Sequence, residues 1–155
     1  MVALPRIAIS TDLNEGWCFG CGHKNPIGLK LDFQKDGDTC RAEFTPGEDH
    51  QGWPGIVHGG ILTCLLDEAM SYAAYFQGVT CLTASMQVRL RQPVKVEAPL
   101  VITASVTRNR KKLIETRASV CLKDGTVVAE STSKQFVVEN EPGHGGRYRE
   151  SRSNA

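Results

Sequence analysis

The 155-residue chain lacks a charge bias, because its formal net charge is only +1 at pH 7. So small a charge gives no electrostatic reason to expect nucleic acid or a membrane surface as a partner. The start, MVALPRIAISTDLNEG, has no long apolar run behind a basic segment, so we expect no signal peptide. The longest apolar stretch is interrupted by Asp67 and Glu68, which makes it too polar to span a bilayer. These absences favour a cytoplasmic protein.

Six cysteines are present, and without a secretory signal they are expected to be free thiols in a reducing compartment. The segment WCFGCGHKN offers Cys18, Cys21 and His23 as metal ligands. A structural zinc site needs four ligands at suitable spacing, and Cys40 or His50 would be an arbitrary fourth. The surrounding glycines suit a tight turn equally well. We therefore expect a turn here and no metal site.

Two strands and one long helix are predicted in the first half of the chain. GLKLDFQKDGDTCRAEFTP indicates strands at about 28–34 and 39–45, joined by a turn at 36–38. The glycines and the proline of GEDHQGWPGIVHGG exclude regular structure in the loop that follows. A helix is then expected from the Gly-Gly pair to about Gln77, ending at Gly78.

Only strands are predicted after the helix. LTASMQVRLRQPV and PLVITASVTRN alternate, and the last segment holds two strands joined by a hairpin at 123–125. The chain is thus expected to divide into an N-terminal segment with the Cys-rich turn (1–27), one domain (28–140) and a flexible tail (141–155).

The predicted helix is apolar on almost every side, so it must be surrounded by other elements. A curved antiparallel sheet wrapped around one long central helix meets that demand, and this predicts an α+β fold. One helix leaves a side of such a wrap open, and a second copy of the chain could close it. We therefore expect a homodimer.

Two acidic residues, Asp67 and Glu68, lie in the middle of this helix. Adjacent helical residues point about 100° apart, so at most one of them faces a given site. His58-Gly59-Gly60 places unobstructed backbone N–H groups at the positive end of the helix, which is suited to an oxyanion. A carboxylate and an oxyanion site together suit hydrolysis of an activated carbonyl. Gly59 and Asp67 are separated by about 12 Å along one helix, so a second subunit must supply one of them.

HGG, with Asp67 nine positions after His58 and in this order of elements, resembles the hotdog-fold acyl-CoA thioesterases of the phenylacetyl-CoA thioesterase (PaaI-like) group. HQGWPGIVHGG and LTASMQVRLRQP resemble the branch that hydrolyses fatty acyl-CoA. The resemblance covers about residues 16–139. It implies the hotdog fold and hydrolysis of an acyl-CoA to free acid and CoA without a cofactor. It also implies a homodimer that assembles into a homotetramer.

The resemblance implies a role for each matching residue. Asp67 falls on the catalytic carboxylate, which acts as general base on water or as nucleophile. Gly59, supplied by the partner subunit, falls on the backbone N–H that polarises the carbonyl. His58 would orient the substrate or the loop. Thr83 falls on the hydroxyl that positions the attacking water.

One position departs from the pattern of some relatives. They carry an Asn six residues before the His, where this chain has Gly52. Gln51 or His50 could serve instead. Gly60 and Glu68 are further expected substrate contacts, and Glu68 is the backup acid.

Coenzyme A needs cations for its phosphates. Arg89 and Arg91 alternate on the strand after the helix, and Arg110, Lys111 and Lys112 cluster where two later strands meet. The resemblance places both clusters near the nucleotide, as contacts to phosphate. A solvated turn is the other interpretation of the second cluster.

Two other classes of function stay open. One is a hotdog hydratase or dehydratase acting on acyl thioesters, with His58 moving protons. The other is a non-catalytic acyl-CoA-binding module, because a fold does not fix a function. Asp67 distinguishes them, since a binding module has no need of a carboxylate that faces the thioester.

Overall fold

Six strands and one long helix form the fold of residues 16–138, the part of the chain that the structure, a computed structural model, describes. The helix, α1, spans Gly59–Tyr75, and a short 3-10 helix spans Glu48–His50 ahead of it. The strands are β1 (Gln34–Asp36), β2 (Thr39–Phe44), β3 (Cys81–Leu90), β4 (Leu100–Arg110), β5 (Leu113–Leu122) and β6 (Val127–Val137).

All strands pair antiparallel in one sheet of order β1-β2-β4-β5-β6-β3. The chain therefore leaves α1 into β3, which pairs with the last strand and lies at one edge of the sheet. The other edge is the three-residue β1. The predicted α+β architecture, an antiparallel sheet with one long helix, is confirmed.

The core lies between α1 and one face of the sheet. On β4 the alternation predicted from sequence is observed, with Leu100, Ile102 and Ala104 buried. The helix buries seven residues against the sheet: Leu62, Leu65, Leu66, Ala69, Met70, Ala73 and Ala74. Asp67 and Glu68 are half-buried. None of the helices within residues 16–138 is long and apolar enough to cross a membrane.

The predicted strand at 28–34 is wrong, because regular pairing begins only at Gln34. The segment is extended, with Leu29 and Leu31 buried in the core. Its backbone N–H groups donate hydrogen bonds to the Cys-rich turn instead of to a neighbouring strand. The N–H of Leu29 donates to the carbonyl of Phe19 at 2.8 Å, and that of Leu31 to Gly20 at 2.9 Å. The alternation of apolar residues matches the face that is buried, but it could not reveal the pairing partner.

The predicted turns lie close to their expected positions. Helix α1 ends at Tyr75, two residues before the predicted end, and Gly78 follows with a φ of +80°. That left-handed backbone favours glycine and stops the helix. The β5–β6 hairpin turns at Gly125, whose φ is +89°. The predicted tail, 141–155, lies outside the described residues.

Candidate active site

The first turn of α1 is built around a histidine cap. The N-cap residue His58 accepts a hydrogen bond at Nδ1 from the N–H of Gly60 at 2.8 Å. A neutral imidazole that accepts at Nδ1 carries its proton on Nε2. His58 is exposed as a residue, and its one ring N–H stays available as a donor.

Both glycines after the histidine have a side chain close to the place where a Cβ would lie. A Cβ at Gly60 would lie 2.9 Å from His58 Nδ1, and one at Gly59 would lie 2.8 Å from Leu90 Cδ1. Within residues 16–138, the N–H of Gly59 has no acceptor. An unpaired N–H at the positive end of a helix can stabilise developing negative charge.

The second part of the site joins the middle of α1 to β3. Thr83 Oγ1 donates a hydrogen bond of 2.7 Å to Asp67 Oδ1. This bond occupies one carboxylate oxygen and leaves Oδ2 able to accept another proton or hydrogen bond. Thr83 is exposed and Asp67 half-buried, so the pair borders the surface beside the edge strand.

A buried amide lies behind this pair. Gln135 of β6 is directly opposite Thr83 in the sheet register, so the two side chains share a face. Its side chain is fully buried, and neither amide atom has a hydrogen-bond partner among residues 16–138. The sequence analysis missed Gln135. A signal was present, since the core-facing positions of β6 are polar three times in succession, at Ser131, Ser133 and Gln135.

The neighbouring acid, Glu68, points away from this pair toward the Cys-rich turn. Its Oε1 accepts a hydrogen bond of 3.5 Å from the Sγ of Cys18. Burial, with the negative charge of Glu68, raises the pKa of the Cys21 thiol far above its ordinary value. The inference that the adjacent acids face different surroundings is thus confirmed, and Asp67 is the one beside Thr83.

The two proposed substitutes for the missing Asn support the loop before α1. Gln51 accepts a hydrogen bond from the N–H of Gly55 and donates one of 2.9 Å to the carbonyl of Glu48. His50 Nδ1 accepts a bond of 2.9 Å from the N–H of Gly47. At Gly52 itself, a Cβ would meet the Cα of His58 at 3.3 Å. These contacts hold the backbone of the loop that leads into His58-Gly59-Gly60.

The basic candidates lie toward opposite ends of β3. Arg91 forms an ion pair with Glu130, and Arg89 lines an open cavity of about 540 Å³ with Glu130 among its other residues. The exposed turn 110–112 lies at the other end, because the carbonyl of Lys112 accepts a bond of 3.1 Å from the N–H of Val137. The second cluster is thus on the side where Thr83 lies.

One subunit keeps its two chemical groups apart. Gly59 is beside Leu90 at one end of β3, and Asp67 is bonded to Thr83 near the other. Along α1 the two residues are eight positions apart, which is about 12 Å at roughly 1.5 Å for each residue. The geometry agrees with the sequence argument that one chain does not bring both groups to one carbonyl.

Comparison with known proteins gives the class of this fold. The crystal structure of protein RHA08564, described as a thioesterase superfamily protein, matches with a TM-score of 0.75 and 26% identity over 86% of this chain and 69% of that chain. The PaaI protein of E. coli matches with a TM-score of 0.68 and 21% identity over 72% and 82%. A hypothetical thioesterase from Streptococcus pneumoniae TIGR4, solved with coenzyme A, matches with a TM-score of 0.67 and 17% identity over 72% and 88%. The fold is the hotdog fold.

Sequence comparison agrees. Residues 54–129 match the family model described as the Thioesterase superfamily. The human acyl-coenzyme A thioesterase THEM5 is 31% identical over 61% of this chain, and the bovine acyl-coenzyme A thioesterase THEM4 is 23% identical over 88%. This chain spans only 38% of the human relative's length and 58% of the bovine one's. The hotdog region of this chain is thus similar to the thioesterase superfamily.

Proposed function

We propose that the chain is an acyl-CoA thioesterase, which hydrolyses an acyl-CoA to the free acid and CoA. The observation that carries this proposal is the 2.7 Å bond from Thr83 to Asp67, which presents a half-buried carboxylate at the edge of a hotdog sheet. Both curated relatives described above are named acyl-coenzyme A thioesterases. Two variants of the S. pneumoniae protein were solved with an Asp-to-Ala and a Thr-to-Ala change sixteen positions apart, the same separation as Asp67 and Thr83.

The chemistry follows from the two ends of the site. Asp67 takes a proton from water, whose oxygen attacks the thioester carbon, or it attacks that carbon itself. Thr83 holds Oδ1 and so orients Oδ2 toward the reaction. The negative charge that develops on the carbonyl oxygen is stabilised by the N–H of Gly59 at the start of a partner's helix. In the general-base route the proton taken up by Asp67 passes to sulfur as the C–S bond breaks, so CoA leaves as the thiol and the acyl group keeps the hydroxyl of water. Where Asp67 itself attacks, CoA leaves as the thiolate, the acyl group stays on the carboxylate as an anhydride, and water then hydrolyses it to the free acid.

The edge strand β3 supports a dimer that completes this site. Among the described residues β3 has no partner on its outer side, and Leu82 and Leu90 near its ends are 45% and 52% exposed. A long unpaired edge with exposed apolar residues is a surface that proteins cover. Two β3 strands that pair antiparallel about their midpoint, between Ser85 and Met86, bring Thr83 of one chain opposite Val88 of the other, two residues from Leu90.

This pairing brings the separated groups together. Leu90 contacts the Gly59 position of its own chain, and Thr83 is bonded to Asp67 of its own chain. The dimer therefore places the oxyanion donor of one subunit near the carboxylate of the other, twice by symmetry. Assembly of two dimers into a tetramer stays a prediction.

The same pairing gathers the cations. The turn 110–112 of one chain and Arg89 and Arg91 of the other come to the same end of the dimer sheet. Basic side chains at one end of the site suit the phosphates of coenzyme A, the molecule bound in the S. pneumoniae structure.

Release of free thiol from a panel of acyl-CoAs tests the proposal. Asp67→Asn keeps the size of the side chain and removes its charge, and we expect turnover to fall at least about 100-fold, as for a lost general base. Asp38→Asn, in the exposed β1–β2 turn, is the matched control and should keep full activity. Absence of thiol release from every acyl-CoA, with binding retained, would contradict the proposal and leave an acyl-CoA-binding module.

A further inference from the structure

A cluster of metal-ligand atoms lies on the other side of α1 from the Asp67–Thr83 pair. One ligand atom from each of Cys18, Cys21 and Glu68 lies within 4.8 Å of the other two. Cys18 Sγ and Glu68 Oε1 are 3.5 Å apart. In tetrahedral zinc coordination, with Zn–S near 2.3 Å and Zn–O near 2.0 Å, neighbouring sulfur and oxygen ligands are also separated by about 3.5 Å. The cluster thus has the dimensions of a zinc site.

We propose that Cys18, Cys21 and Glu68 bind a zinc ion that fastens the Cys-rich turn to α1, with water as the fourth ligand. Two thiolates favour zinc over the hard cations magnesium and calcium, which take oxygen ligands. Cys18 and Cys21 lie outside residues 54–129, so the superfamily match includes Glu68 but neither thiol. The proposal is independent of thioester hydrolysis.

The backbone of the turn is shaped to present both thiols to one point. The N–H of Gly22 donates to the carbonyl of Cys18 at 2.8 Å, which closes the turn. A Cβ at Gly22 would lie 2.5 Å from the backbone N and O of Cys18, so only glycine fits directly after the second cysteine. Gly20 likewise leaves room for the carboxylate beside the thiols, since a Cβ there would lie 2.5 Å from Glu68 Cδ.

The turn is anchored to the core rather than left as a loose loop. The extended segment after it donates backbone hydrogen bonds from Leu29 to Phe19 and from Leu31 to Gly20, and both leucines are buried. Asn25 stabilises the bend between the Cys-rich turn and this extended segment, because its Oδ1 accepts a hydrogen bond of 3.1 Å from the N–H of Ile27. Ligands held on such a rigid backbone bind a metal with little rearrangement.

This ligand set differs from the one weighed from sequence. His23 is not in the cluster, and the third ligand is instead Glu68, fifty positions from Cys18. No local spacing motif contains that carboxylate, which is why the sequence pointed to His23 as the third ligand instead.

Metal content of the untagged, reduced protein tests the proposal directly. We expect about one zinc per chain by elemental analysis, as for other thiolate zinc sites. Cys18→Ser and Glu68→Gln should each lose it. Cys121→Ser is the matched control, since Cys121 is half-buried on β5, outside the cluster, and this variant should keep the metal.

Titration with cobalt distinguishes a site that binds metal weakly from the absence of a metal site. Replacement of zinc by cobalt should give a thiolate-to-cobalt charge-transfer absorption, which disappears in Cys18→Ser and persists in Cys121→Ser. A chelator should lower the Tm of the parent protein but not that of Cys18→Ser, because bound metal stabilises the folded state. The proposal would be overturned if the isolated protein held no zinc and also failed to bind zinc or cobalt stoichiometrically under reducing conditions. A Cys18–Cys21 disulfide that persists in reductant would overturn it too.

Discussion

Thr83 Oγ1 donates a 2.7 Å hydrogen bond to Asp67 Oδ1, and this bond joins the centre of the helix to the edge strand. It ties the orientation of the candidate catalytic carboxylate to the strand through which we propose that two subunits pair. Orientation of the carboxylate and assembly of the dimer therefore depend on the same strand.

Thr83→Val should lower turnover while keeping the shape of the side chain. A hydrogen bond to a charged group contributes about 1.5–3 kcal/mol, so its loss should lower kcat by about 10- to 100-fold. Thr83→Ser keeps the hydroxyl and should keep most of the activity. Steady-state kinetics with the preferred acyl-CoA checks this, and full activity in Thr83→Val would show that the bond does not orient the carboxylate.

Gly59→Pro should remove the candidate oxyanion donor without breaking the helix. Proline suits the first position of a helix, and His58 already has the extended backbone, φ −61° and ψ 133°, that a residue before proline prefers. We expect kcat to fall about 100- to 1,000-fold, as for loss of one oxyanion donor.

Gly59→Ala is the matched control for this change. It adds a Cβ at the same place, 2.8 Å from Leu90 Cδ1, but keeps the N–H. A flexible leucine end can move, so Gly59→Ala should be the milder variant. Equal losses in the two variants would assign the effect to the contact with Leu90 rather than to the N–H.

Much of the fold could be predicted from local pattern, and the misses share one physical cause. The helix end near Gly78 and the hairpin at Gly125 follow from backbone conformations that favour glycine. The partner of residues 28–33 could not be predicted, because it is a turn and not a strand. The contact of Glu68 with Cys18 was equally hidden, since the two are fifty positions apart. Patterns of period two or 3.6 report which face is buried, and they do not report what covers it.

Mixing two inactive variants tests whether the site is shared between subunits. In a mixed dimer of Asp67→Asn with Gly59→Pro, one shared site has an intact Asp67 and an intact Gly59, and the other has neither. With random exchange, half of the dimers are mixed, so activity should recover to about a quarter of that of the parent protein.

A site formed within a single chain would give the opposite result. If each chain uses its own Asp67 and Gly59, no mixed dimer contains an intact site and no activity returns. Exchange of subunits is verified separately by native mass spectrometry on chains of different mass, so that lack of recovery is not confused with lack of mixing.

Gln135→Met should separate a functional role for the buried amide from a structural one. A buried amide without a partner lowers stability by about 1–3 kcal/mol, and methionine of similar length removes that cost. We therefore expect the free energy of unfolding to rise by about 1 kcal/mol or more in urea denaturation.

Because Gln135 lies directly opposite Thr83, we also expect kcat to fall in Gln135→Met, so that the variant gains stability and loses activity. Gln34→Met, on the exposed strand β1 at the other edge of the sheet, should change neither quantity. A loss of stability in Gln135→Met would show that the amide is hydrogen-bonded in solution, and unchanged kcat would remove Gln135 from the site.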